Sequence, residues 1–195
     1  KFERVYKSIS EKLNNNVLRN VYYLYLSDIQ GSENLALDYL RLCYKYGIDI
    51  NLAKNNETII LVDKYCKRVS GEAHSFTGFV RFKEIGPLSY YSVIEPDHNI
   101  LPIILRHFTN RFSDQNFIIH DLKREKAIVY NTKEAIITDL TKEQGEKLSN
   151  KIDDSDFENL WRTFYNSVNI EERKNHKCRN QHMPRRYWKH LTELQ

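Results

Sequence analysis

Glycine, proline and cysteine are scarce in this chain: six, four and three residues among 195, with a single Met. So little Gly and Pro excludes collagen-like, low-complexity and linker sequences. The cysteines, Cys43, Cys66 and Cys178, are odd in number, far apart and without a C-x-x-C pair. No disulfide framework is expected, and a reducing, cytoplasmic setting is. No apolar run approaches the ~18 residues of a spanning helix, so no membrane association is expected. The patterns G-x-x-x-x-G-K-[ST], G-x-G-x-x-G and G-x-S-x-G are missing too, which removes the commonest phosphate-loop, dinucleotide and hydrolase signals. Nothing in the sequence asks for a cofactor.

What is present is a folded composition, 41% hydrophobic and 29% charged, in a chain long enough for one good core or two small ones. A single domain over residues 1–195 is expected, with helices over 1–77, a sheet over 78–140 and further helices over 141–195. The chain opens on Lys1-Phe2-Glu3-Arg4, inside a helical pattern and without an initiator Met, so a preceding segment is expected.

Positive charge is concentrated near the carboxyl end. Between Glu171 and His190 there are seven Lys or Arg against two acids, a local excess of five, while the whole chain carries only +4. The cations are therefore placed, not spread. Tyr187 and Trp188 sit among them, and a flat ring beside a guanidinium can stack a base while the charge takes a phosphate. Arg173, Lys177, Arg179, Arg185, Arg186 and Lys189 are the candidate phosphate contacts. Asn175 and Gln181 are candidates for hydrogen bonds to bases or sugars, and Arg81 and Arg111 could extend the surface. The bland alternative is a solvated basic helix with Tyr187 and Trp188 packed inward.

Periodicity gives an α+β reading. Apolar residues at helical spacing predict four N-terminal helices, the first broken at Asn14-Asn15-Asn16, the third opening near Ser32 and ending at Gly47, the fourth ending before Gly78. Alternation over 78–85 and 88–95 predicts two strands around Gly86-Pro87, with Arg81 and Lys83 on one side of the first. A helix around Ile103 to Phe112, a hairpin over 117–120 and 127–130, and a possible strand at 135–138 complete a central antiparallel ββαββ unit. Thr141-x-x-Gln144 and Ser155-x-x-Glu158 read as capping boxes for two C-terminal helices, and Pro184 as the first residue of a short final one.

Glu72, His74, Asp97 and His98, with Glu95, are the candidate catalytic groups, since carboxylates near histidines can act as general acid and base or hold a divalent metal. Against that, Glu95 to Asn99 has the look of a strand-to-helix turn capped by Asp97 or Asn99, and Glu72 stands four residues from Arg68, at salt-bridge spacing, with Arg81 as its other possible partner. His176-x-Cys178-x-x-x-His182 lacks the paired C-x-x-C half of a zinc site, so no metal is expected.

Several short motifs in order carry a resemblance. They are Glu72-Ala73-His74 with Gly78-Phe79-Val80-Arg81-Phe82; Tyr90-Tyr91; Ile94-Glu95-Pro96-Asp97-His98; Leu101-Pro102; His107-Phe108; Arg111-Phe112; Asp114-Gln115; Trp161, Tyr165, Ile170 and Glu172-Arg173-x-Asn175; Gln181; and Met183-Pro184-Arg185-Arg186-Tyr187-Trp188. Glu3-Arg4-Val5-Tyr6 and Leu26-Ser27 extend it. In these the chain resembles the family known as probable DNA metabolism proteins, of otherwise unknown function. Its members occur alone, beside a radical-SAM protein, or fused ahead of a uracil-DNA-glycosylase-like domain, and usually begin with an Asp-Gly segment that is absent here. The resemblance implies a nucleic-acid-binding accessory in DNA repair or metabolism, with a glycosylase-like or radical-SAM partner. It implies no established reaction. The alternatives are an enzyme acting on DNA or nucleotides through the Glu/His/Asp group, and an interaction module docking a repair enzyme.

Overall fold

A computed structural model describes residues 2–149, 155–168 and 175–194. The fold is α+β, with N-terminal helices, a five-stranded mixed sheet and C-terminal helices. The chain divides into two compact units, residues 1–72 with 97–100, and residues 73–96 with 101–195.

The first unit contains α1 (Phe2–Lys12), α2 (Asn15–Leu26), α3 (Ser32–Tyr46), a 3-10 turn (Ile48–Leu52) and α4 (Glu57–Phe79) up to Glu72. The Asn14-Asn15-Asn16 break works through one side chain, Asn14, whose Oδ1 accepts the Val17 N–H at 2.9 Å and caps α2. Helix α3 starts at Ser32, one residue earlier than a Ser32 cap would place it, because Gly31 (φ 85°) takes the cap position. Gly47 (φ 78°) ends it, adopting a backbone that side-chain-bearing residues rarely tolerate. Ile9, Val17, Leu24, Tyr39, Cys43, Ile59 and Val62 form one buried cluster.

In the second unit the strands are β1 (Lys83–Gly86), β2 (Ser89–Ile94), β3 (Asn116–Asp121), β4 (Lys126–Tyr130) and β5 (Ala135–Asp139), hydrogen-bonded in sequence order. The expected antiparallel sheet is corrected to a mixed one. β2 and β3 run parallel, Ser89 opposite Asn116 through Ile94 opposite Asp121, while the other pairs are antiparallel. The reason is α5 (Leu101–Arg111), a crossover helix between them that returns the chain to the same end. Its Leu101, Ile104 and Phe108 are buried on one face.

The first strand is also shorter than alternation suggested. Helix α4 continues to Phe79 and β1 begins only at Lys83, so Arg81 lies in the connection and shares no strand face with Lys83. The extra turn keeps Phe76 and Phe79, three apart, on one helical face where both meet Tyr187.

Helix α6 (Lys142–Ser149) opens on the expected capping box. The Thr141 N–H donates to Gln144 Oε1 at 2.9 Å, and the Gln144 N–H to Thr141 Oγ1 at 3.3 Å. Helix α7 (Ser155–Val168) begins at the second box, whose side chains lie outside the described residues. It is followed by α8 (His176–His182) and 3-10 turns at Arg185–His190 and Thr192–Leu194.

Candidate nucleic-acid interface

The C-terminal segment is built around two aromatic residues with different jobs. Asn175 caps α8, its Oδ1 accepting the Cys178 N–H at 2.9 Å. Pro184 precedes the 3-10 turn Arg185–His190, where the missing N–H costs nothing. That turn drives Tyr187 into the protein. It is 3% exposed, its ring centroid 4.9 Å from that of Phe76 and 5.9 Å from that of Phe79. Of the two readings of Tyr187, a ring that stacks a ligand and a ring packed inward, its burial fits the second: it anchors the segment, and Leu191 is buried beyond it. The Arg186 guanidinium covers the Tyr187 ring at 4.6 Å, and its Nη2–H donates to the Tyr187 hydroxyl at 2.9 Å.

Trp188 is the organiser of the exposed side. Its Nε1–H donates to the Met183 carbonyl at 2.9 Å, which fixes the ring. Two guanidiniums gather on it, Arg179 at 4.7 Å and Arg185 at 5.6 Å from the ring centre. Among the described residues neither is paired with a carboxylate, and Lys177, exposed on α8, is not either. Arg179 Nε and Asn180 Oδ1 are buried without a hydrogen-bond partner among the described residues. Gln181 and Arg185 are exposed, and Arg173 lies outside the described residues.

Other cations of the expected surface are committed to the fold. Arg81 donates to both oxygens of Glu193, at 2.6 and 3.2 Å, and its guanidinium lies 5.7 Å from the Trp161 ring centre, while the Trp161 Nε1–H donates to Glu193 at 3.0 Å. The Glu193 side chain is only 3% exposed. Burial alone would raise its carboxyl, but the Arg81 and Trp161 hydrogen bonds hold it below the usual range. Lys189 pairs with Glu95 at 2.6 Å, and His190 Nε2 lies 3.3 Å from the other oxygen, too far out of line for a hydrogen bond. Against the raising effect of burial, Lys189 and His190 hold Glu95 low, while burial also lowers His190. Arg111 is exposed, its guanidinium 5.9 Å from the Phe112 ring centre.

Three of the four catalytic candidates come together, in the first unit. The Glu72 carboxylate accepts the backbone N–H groups of Asp97 and His98, each at 2.8 Å. His98 is buried and its Nδ1–H donates to the Ser27 carbonyl at 2.8 Å, next to an Asn99 N–H to Leu26 bond of 2.9 Å. These contacts fasten the turn at 97–99. Arg81 pairs with Glu193. Helix α5 starts at Leu101. His74 is exposed on α4. Among the described residues no three His, Cys, Asp or Glu gather as metal ligands, and no helix is long and apolar enough to cross a membrane.

A buried polar pair had no sequence signal. The Tyr91 hydroxyl donates to His120 Nδ1 at 2.7 Å, and His120 Nε2–H donates to the Leu140 carbonyl at 2.8 Å. Burial pushes Tyr91 up to about 12 and lowers His120, so the imidazole is neutral and both nitrogens are satisfied.

Compared with known proteins, residues 30–193 match the model of a family described as a domain of unknown function, DUF4130. No curated protein and no solved structure matches the chain.

Proposed function

The chain belongs to the DUF4130 family, and from that footing we propose that its C-terminal segment binds nucleic acid, as an accessory to a DNA repair or metabolism enzyme supplied by another chain or domain. The observation that carries this reading is the Arg179–Trp188–Arg185 cluster. Two guanidiniums are ordered on one indole, and neither is neutralised by a carboxylate among the described residues. An oriented guanidinium presents N–H donors to a phosphate at less entropic cost than a loose one. Lys177 adds a third charge from α8. Contacts of this kind read the backbone and carry no sequence preference, so any selectivity falls to bases stacking beside the ring or to the partner enzyme.

Hydrogen exchange on the full chain tests it. Addition of single- or double-stranded DNA is expected to slow exchange in peptides covering 175–190 and to leave those from β3 and β4 unchanged. Uniform or absent protection contradicts the assignment.

A protein-docking role is favoured by one separate observation: Leu160, Trp161, Phe164 and Val168 of α7 are exposed large apolar residues. Co-purification of a glycosylase-like or radical-SAM protein that survives nuclease and high salt would support that reading; loss on nuclease treatment would return the interaction to DNA.

A further inference from the structure

The first unit holds a cleft of about 540 Å³, walled by α2, the 3-10 turn Ile48–Leu52 and α4. That volume lies in the range of small-molecule sites. Two of its lining residues, Asn20 and Asn51, are held by a chain of hydrogen bonds: Asn20 Nδ2–H to the Tyr39 hydroxyl at 3.0 Å, Tyr39 O–H to Asn51 Oδ1 at 2.8 Å, and Asn51 Nδ2–H to the Ile48 carbonyl at 2.7 Å. Tyr39 is fully buried. A weaker Cys66 S–H contact to the Asn20 carbonyl, at 3.6 Å, ties α4 to α2.

The commitments of these groups dictate what a ligand must bring. Both ends of the Asn51 amide carry a bond within the protein, which fixes its orientation in the wall. Asn20 gives one N–H to Tyr39, which leaves its second N–H and its carbonyl oxygen for a ligand. The Asp49 carboxylate in the cleft wall also accepts. A ligand group that donates hydrogen bonds matches the Asn20 oxygen and the Asp49 carboxylate. Across the same cleft stand Arg19 of α2 and Lys67 of α4, neither paired with a carboxylate among the described residues. By contrast Asp63, also in the wall, is answered by Lys54. Arg19 and Lys67, set beside Asp49 and Asp63 in one lining, give the cleft a cationic part suited to a concentrated negative charge and an acidic part suited to hydrogen-bond donors.

We propose that this cleft binds a small organic phosphate monoester, with the phosphate on Arg19 and Lys67 and a hydroxyl- or amino-bearing body on Asn20 and Asp49. A sugar phosphate and a nucleoside monophosphate share this chemistry. The cleft and the C-terminal basic segment have no residue in common, so each can fail without the other.

Calorimetric titration of the full chain at about 150 mM salt, where weak surface attraction is screened, tests the proposal. The probes are ribose 5-phosphate, glucose 6-phosphate, AMP, adenosine, ribose and inorganic phosphate. Saturable binding of at least one monoester is expected, at least tenfold tighter than its dephosphorylated form and than inorganic phosphate. The members that bind tell sugar phosphate from nucleotide. The R19M/K67M pair should weaken that binding by about a hundredfold, roughly tenfold per lost charge-assisted contact. Arg41→Met, outside the cleft, and R185A, in the C-terminal segment, should leave it unchanged. Both altered cations are exposed, and R19M alone serves if the double variant melts early. The proposal is overturned if no monoester binds, if the dephosphorylated form or inorganic phosphate binds as well, if binding survives loss of the cations, or if R185A abolishes it.

Discussion

Of the six glycines, Gly145 on α6 has the least room for a side chain. A Cβ placed there would lie 2.5 Å from the Tyr91 hydroxyl and 2.6 Å from His120 Nδ1, both held in a buried hydrogen bond. Gly145→Ala is expected to destabilise the chain by about 1–3 kcal/mol through overpacking, read by urea denaturation; no loss would mean that α6 can shift without cost. Glu193 is the other sensitive position. Its carboxyl is depressed in the folded chain, so it contributes stability that is present above the ordinary glutamate range and lost as pH falls through the lowered folded value. E193Q should cost about 3 kcal/mol at neutral pH, because Arg81 is left without its counter-charge. The variant should also lose less stability than wild type between neutral pH and the acid limb. Parallel wild-type and variant acid curves would contradict this.

At the scale of elements, what could be read from sequence was local. The Thr141–Gln144 capping box and the Asn14 cap are bonds between residues three apart, and the sequence spacing carries all the information they need. Thr141→Ala is accordingly expected to cost about 1 kcal/mol, with the loss visible as faster hydrogen exchange in α6. Gly78 to Phe82 misled for the opposite reason. The stretch alternates like a strand, but Phe76 and Phe79 gain more by staying helical, because Tyr187, more than a hundred residues on, needs both rings. The parallel β2–β3 pair was hidden as well, since strand direction follows from where α5 delivers the chain, not from strand composition. Tyr187→Ala tests the seat. It should cost about 3 kcal/mol and loosen residues 185–191 in hydrogen exchange, leaving β3 and β4 unchanged. Loss of stability without local loosening would show that the seat is not what holds the turn.

At the scale of the whole chain, net charge describes the molecule poorly: +4 overall, with a local excess of five between Glu171 and His190. Composition located those cations but could not tell which remain available. Glu95 and Glu193 claim Lys189 and Arg81 across 94 and 112 residues of sequence, and nothing local marks either acid. The cleft of the first unit was illegible for the same reason, its walls coming from three separated segments. Among the described residues of the C-terminal segment, Lys177 and the two guanidiniums on Trp188 have no carboxylate partner, and on these the proposed binding rests. The most direct measurement is fluorescence anisotropy of labelled duplex DNA over a salt series, with wild type, the K177A/R185A pair and Arg81→Ala. The logarithm of the binding constant should fall linearly with the logarithm of salt concentration. K177A/R185A should reduce the slope by about 1.8, near 0.9 per lost phosphate contact, and Arg81→Ala should leave it unchanged. A slope that K177A/R185A does not alter, or no binding at low salt, would contradict the account.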